Sequence, residues 1–123
     1  MTTRPLLAAD SVEPRALASM ARFHASTLEE VRAAVARDDV VIVGMAQNPH
    51  VRKARNAFRE AGIPFTYLEY GSYLSGWKKR LAIKRWSGWP TFPQVFVKGM
   101  LFGGASDAKK ALADGSLKAR LGT

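Results

Sequence analysis

A two-residue break, Lys98-Gly99, between the apolar runs Gln94-Val95-Phe96-Val97 and Met100-Leu101-Phe102 constrains this chain more than any other feature. Two strand-like runs separated by two residues, the second a glycine free to take a positive φ, close as a tight antiparallel hairpin. Upstream, Val40-Val41-Ile42-Val43 is an unbroken apolar run, the mark of a strand covered on both faces. Phe65 to Leu68 supplies another strand. Between these two lies a helical pattern from Pro49 to Ala61, with Val51, Ala54, Ala57 and Phe58 inward, Arg52, Lys53, Arg55 and Arg59 outward, and Gly62 as the stop. Strands joined through a helical crossover run parallel, so the chain reads as α/β, a four-stranded mixed sheet flanked by helices.

The remaining helices follow from caps and periodicity. Ser26-Thr27-Leu28-Glu29-Glu30 holds overlapping capping boxes, and Leu28, Val31 and Val35 share one face, which predicts a helix over 27–37. Residues 1–25 read as a separate leader: Pro5 and Pro14 interrupt it, and Leu17, Met20 and Phe23 suit one short helix. The domain proper is then 26–123. Trp77 to Trp86 has helical spacing, with Leu81 and Ile83 amid Lys78, Lys79, Arg80, Lys84 and Arg85. After Gly103-Gly104 a last helix is expected over 106–114 with Ser106 as its cap.

The chain has no cysteine, which excludes disulfides, thiolate metal sites and thiol catalysis by the protein itself. Its two histidines, His24 and His50, are too few for a metal site, so no metal is expected. A net charge of +9 favours anionic partners, whether nucleic acid, acidic protein surfaces or small carboxylates, without choosing among them. No apolar run approaches the ~20 residues needed to span a bilayer, so the expected compartment is the cytoplasm, with no membrane partner.

The stretch WSGWPTFPQVFVKGMLFGGASD, residues 86–107, resembles glutaredoxins of the single-cysteine type, whose pattern is close to S-x-W-P-T-x-P-Q-x-[YF]-V-x-G-x-x-x-G-G. The similarity extends upstream to about Thr27. It implies a thioredoxin-like fold and a cis bond at Phe92-Pro93, within a unit Thr91-Phe92-Pro93 whose backbone pairs with a bound peptide. The family's nucleophilic cysteine stands fourteen residues before the helix-ending glycine, and here that place, counted back from Gly62, is Asn48. The quartet Asn48-Pro49-His50-Val51 therefore replaces C-P-x-C or C-G-F-S, with Val51 at the second Cys or Ser position. No catalytic residue is expected, because an amide neither attacks sulfur nor ligates soft iron; what Asn48 can do is cap a helix that Pro49 opens.

The resemblance also implies a ligand site. It comprises Asn48, Pro49, His50, Arg80, Thr91, Phe92, Pro93, Gly104, Ala105, Ser106 and Asp107. Arg80 and Lys84 match the family's R-x-x-x-K, so Arg80 is expected to hold a carboxylate through its guanidinium fork. Met45 replaces the family lysine that meets glutathione's glycine carboxylate. Ser106 replaces an Asp, and Asp107 matches the second acid of the G-G-x-D-D form. The backbone N–H groups of Ala105 and Ser106 could still receive a γ-glutamyl carboxylate. The stretch YGSYLSGWKK, residues 70–79, is about three residues longer than in the family, with Tyr73 and Trp77 expected to pack on the sheet. The function so implied is binding without redox turnover, of glutathione, of a peptide carboxylate, or of an acidic protein on the basic face from Arg52 to Lys84. Two alternatives stay open: a glutathione-linked activity that uses the bound glutathione's own thiol, and nucleic-acid binding through basic and aromatic side chains.

Overall fold

The computed structural model describes residues 14–122. Its elements, in chain order, are α1 (Pro14–Arg37), β1 (Val40–Gly44), α2 (Pro49–Glu60), β2 (Thr66–Glu69), α3 (Trp77–Ser87), β3 (Gln94–Val97), β4 (Met100–Gly103), α4 (Ala105–Asp114) and α5 (Ser116–Leu121). The strands form one sheet in the order β2-β1-β3-β4. β1 pairs in parallel with β2, Val41 opposite Thr66, and antiparallel with β3, Val41 opposite Phe96. The β3–β4 hairpin turns at Lys98 and Gly99, both at positive φ (50° and 79°), the geometry that matches the twist of the two strands. The fold is thioredoxin-like, and the mixed four-stranded sheet is the one the apolar runs call for.

Alternation along the central strands divides the interior in two. Val41, Val43 and Phe96 meet Val31, Ala34, Ile83 and Phe92 in one cluster. Val40, Ile42, Val95 and Val97 meet Phe58, Ala108, Ala111 and Leu117 in the other. Each fully buried aliphatic side chain contributes about 1.5–3 kcal/mol relative to exposure, which is why β1, buried at every position, is the strand the rest is built on. Gly44 ends it for a steric reason: a Cβ there would come 2.7 Å from Val51 Cγ1 and 3.1 Å from Tyr67 Cε1. The glycine lets α2 close onto the sheet.

Four expectations are corrected. The first helix does not begin at Ser26–Thr27. It runs unbroken from Pro14, since proline is tolerated in an opening turn and the Ala- and Leu-rich stretch after it sustains helix, so the capping boxes go unused and Thr27 is buried instead. The side chains of Leu17, Met20 and Phe23, and Pro5, lie outside the described residues. Ser106 is not the cap of α4, because the helix starts one residue earlier with Gly104 at the cap. Arg55 is half-buried rather than outward, its guanidinium 4.0 Å from the centre of the Tyr67 ring. Tyr73 and Trp77 do not pack on the sheet but stand exposed. The short α5 has no counterpart in the expected pattern. Among the described residues no helix is long and apolar enough to cross a membrane.

Candidate functional site

The turn from β1 into α2 is built around Asn48. Gln47 sits at φ 65°, reversing the chain, and Asn48 follows in extended backbone. Its side-chain oxygen accepts the N–H of His50 at 2.9 Å and of Val51 at 3.1 Å. Pro49 takes the first helical position, where a missing N–H costs nothing. The residue in the nucleophile's place thus spends its acceptor on its own helix. Val51 is buried in the core, and Met45 is buried as well, so neither offers a polar group where the family has one.

The loop before β3 leaves the same end of the sheet, since Gln94 pairs with Val43, and is fixed from within. The Phe92-Pro93 peptide is cis. Gln94, fully buried, donates from Nε2 to the Trp89 carbonyl at 3.1 Å and so ties the loop across itself. The Pro93 carbonyl oxygen lies 3.6 Å from the place a Cβ would occupy on Gly104, and Trp89 Nε1 lies 3.7 Å from it. These are ordinary van der Waals distances, so the cis loop and the start of α4 lie in contact at Gly104. Phe92 is buried with Lys84 Nζ 5.7 Å from its ring centre, whereas Thr91 is exposed.

At the start of α4, the Asp107 carboxylate accepts the Gly104 N–H at 2.9 Å. That leaves the first-turn N–H groups of Ala105, Ser106 and Asp107 beyond the reach of intrahelical carbonyls, as at any helix start. The starts of α2 and α4 converge on one cleft of about 280 Å³ lined by His50, Lys53, Ala105, Ser106, Lys109 and Lys110. No carboxylate is among its lining residues. Lys53, Lys109 and Lys110 were not singled out as site residues from the sequence. The available signal was spacing: Lys53 is three residues after His50, and Lys109 and Lys110 are three and four after Ser106, which places each on the face of its partner.

Arg80 lies against main chain. It is only 8% exposed, and its Nη1 donates to the carbonyl oxygens of Tyr70 at 3.0 Å and Ser75 at 2.6 Å. Its guanidinium clamps the loop after β2 instead of facing a ligand. That loop is also tied to the α2 turn, for Tyr70 N–H donates to Gly44 O and Ala46 N–H to Gly71 O. The Tyr70 hydroxyl donates to Glu30 Oε1, and burial first, then the bond and the charge of Glu30, push this phenol well above its ordinary range.

The structure therefore brings the α2 and α4 starts to one cleft and sets the cis loop against the α4 start, while Arg80 Nη1 is bonded to the loop after β2. The arrangement presents donors and positive charge without a nucleophile, and among the described residues no group of three His, Cys, Asp or Glu could hold a metal. It suits an anion.

A thioredoxin-like sheet carrying a capped α2 start, a cis X-Pro loop and an α4 that starts against that loop defines the class. The chain belongs to the glutaredoxin family, whose description matches residues 40–102. It is 50% identical over 95 residues to a glutaredoxin-like protein of Dictyostelium discoideum, covering 77% of either chain. It is 33% identical over 115 residues to glutaredoxin-C8 of Oryza sativa subsp. japonica, covering 91% of this chain and 84% of that one. Among solved structures, oxidized glutaredoxin 2 from Chlamydomonas reinhardtii matches with a TM-score of 0.68 and 28% identity, over 80% of this chain and 92% of the other.

Proposed function

We infer that this chain, a glutaredoxin-family protein without cysteine, works by holding an anionic ligand and takes no part in disulfide exchange. The observation that carries the reading is the cleft between the α2 and α4 starts, lined by three lysines and a histidine with no opposing carboxylate. A thiol–disulfide exchange needs a thiolate to form the mixed disulfide, and the chain has none to give. Asn48 maintains the helix start but has its side-chain oxygen engaged.

The ligand class is a carboxylate of glutathione or of a peptide end. In this reading the α4 N–H groups of Ala105 and Ser106 receive the carboxylate, and Lys109, Lys110 and Lys53 add charge-assisted contacts around it. Thr91-Phe92-Pro93 offers backbone to the peptide portion, with Lys84 Nζ 5.7 Å from the Phe92 ring centre. Arg80 is assigned no part in this reading, since its Nη1 is committed to the main-chain carbonyls of Tyr70 and Ser75. The same exposed basic face would draw an acidic protein carrying such a carboxylate.

Titration of glutathione into isotopically labelled protein tests the reading. The expected result is saturable shifts of the Ala105 and Ser106 amides, weakened about tenfold by the pair Lys109→Glu and Lys110→Glu, about 1.4 kcal/mol of binding. Unmoved amides at 105 and 106 with saturating glutathione and with a glutathione-terminated peptide would overturn it.

A further inference from the structure

The loop between β2 and α3 exposes apolar side chains that the anion cleft does not use. Tyr73 is 61% exposed, Leu74 95% and Trp77 59%. Exposure of this kind in a loose loop would mean little, but this loop is braced. Ser72 and Ser75 pair through both backbone N–H groups, at 3.0 and 3.3 Å, and Leu74 N–H donates to Ser72 Oγ. Gly71 and Gly76, both at positive φ, are packed so closely that a Cβ on Gly71 would fall 2.2 Å from Ser75 O. Buried Arg80 locks the base through Tyr70 O and Ser75 O. The protein thus commits a buried guanidinium to presenting Tyr73 and Leu74 outward.

The segment that carries this tip is positive. Residues 70–79 contain Lys78 and Lys79 and no acid. Both lysines are exposed, neither makes an ion pair among the described residues, and Lys78 Nζ lies 5.6 Å from the Trp77 ring centre. Tyrosine and tryptophan partition to the headgroup level of a bilayer, and lysines beside them are drawn to anionic lipid. The apolar tip is small. Three side chains fall short of the roughly 800 Å² per partner that a stable protein interface buries, whereas entry into a headgroup layer needs no complementary surface. Bracing by Arg80 means that little ordering is left to be done on contact.

We propose that the braced loop Ser72–Trp77 is a docking element that seats Tyr73, Leu74 and Trp77 in the headgroup region of an anionic membrane, with Lys78 and Lys79 against the lipid phosphates and carboxylates. This surface lies on a different loop from the anion cleft and does not depend on it. It modifies the expectation from the sequence that no membrane partner exists, without requiring a spanning helix.

Sedimentation of the full chain with vesicles tests this, using phosphatidylcholine alone and phosphatidylcholine with one third phosphatidylserine. The expected result is binding to the anionic vesicles at least about tenfold tighter than to the neutral ones, with a blue-shifted tryptophan emission. Leu74→Ser with Tyr73→Ser should weaken it about tenfold or more, and Lys78→Glu with Lys79→Glu should abolish the preference for phosphatidylserine. All four positions are exposed, and unchanged far-ultraviolet circular dichroism confirms folding. Failure to bind anionic vesicles would overturn the proposal. So would binding that survives the loop substitutions, since that assigns attraction to the general basic surface, or loop-dependent capture of a protein by a chain that ignores vesicles.

Discussion

Asn48 shows how one residue can keep a helix start while removing its chemistry. An amide oxygen that accepts two N–H groups contributes on the order of 1 kcal/mol. Asn48→Ala should therefore lower unfolding free energy by about 1 kcal/mol at unchanged denaturant slope, while Asn48→Asp keeps most of it, as urea titration would show. Gly44 is constrained by volume, with a Cβ only 2.7 Å from Val51 Cγ1. Gly44→Ala should cost about 1–3 kcal/mol in the same titration, through displacement of a buried valine. The cap at 48 was legible because Asn-Pro before an amphipathic run has a local cause. The destination of Arg80 was not. Its spacing places it on a helix, but whether the guanidinium faces a ligand or a loop depends on how the distant residues 70–75 fold back over α3. Arg80→Met, which leaves the carbonyls of Tyr70 and Ser75 without their donor, should cost about 2 kcal/mol and speed hydrogen exchange at Ser72 and Ser75.

Elements are joined by groups that titrate. Asp38, just past α1, accepts from the Thr66 hydroxyl of β2 at 2.9 Å and pairs with Arg37. The Arg37 and Thr66 bonds lower its pKa below the ordinary carboxylate value. A carboxyl depressed in the folded state stabilises above its unfolded pKa, near 4, and that stability is lost as pH falls through the folded value. Thermal melts should thus fall from pH 5 to pH 2, and Asp38→Asn should flatten that fall. Tyr70 works at the other end of the scale. Its raised phenol stabilises below the unfolded pKa of about 10, and the contribution fades at higher pH, so Tyr70→Phe should make alkaline melts less pH-dependent. At this scale the sequence was informative where a pattern repeats: the apolar runs marked the four strands, and the dipeptide Lys98-Gly99 marked the hairpin. The start of α1 was misread because local capping signals at Ser26–Thr27 compete with an uninterrupted helix-forming stretch, and the stretch wins. The six residues of α5 are too few to carry a period, with Leu117 as their one buried anchor.

Across the whole molecule, an excess of nine positive charges sits on a small chain whose described ion pairs are few. Self-repulsion of that size is relieved by screening, so the melting temperature should rise by a few degrees between very low salt and about 0.15 M. The cleft at the α2 and α4 starts was only partly legible, since His50, Ala105 and Ser106 follow from the family pattern, but Lys53, Lys109 and Lys110 join them only once the two helices are packed side by side. Family membership carries the scaffold to this chain; the activity depends on a sulfur atom that position 48 lacks. The most direct check on that claim is turnover of a glutathione mixed disulfide by the purified native chain in the presence of glutathione. A rate equal to that of buffer alone is predicted. A rate above buffer that scales with protein concentration would contradict the account, because it would mean that this site does disulfide chemistry without a thiol of its own.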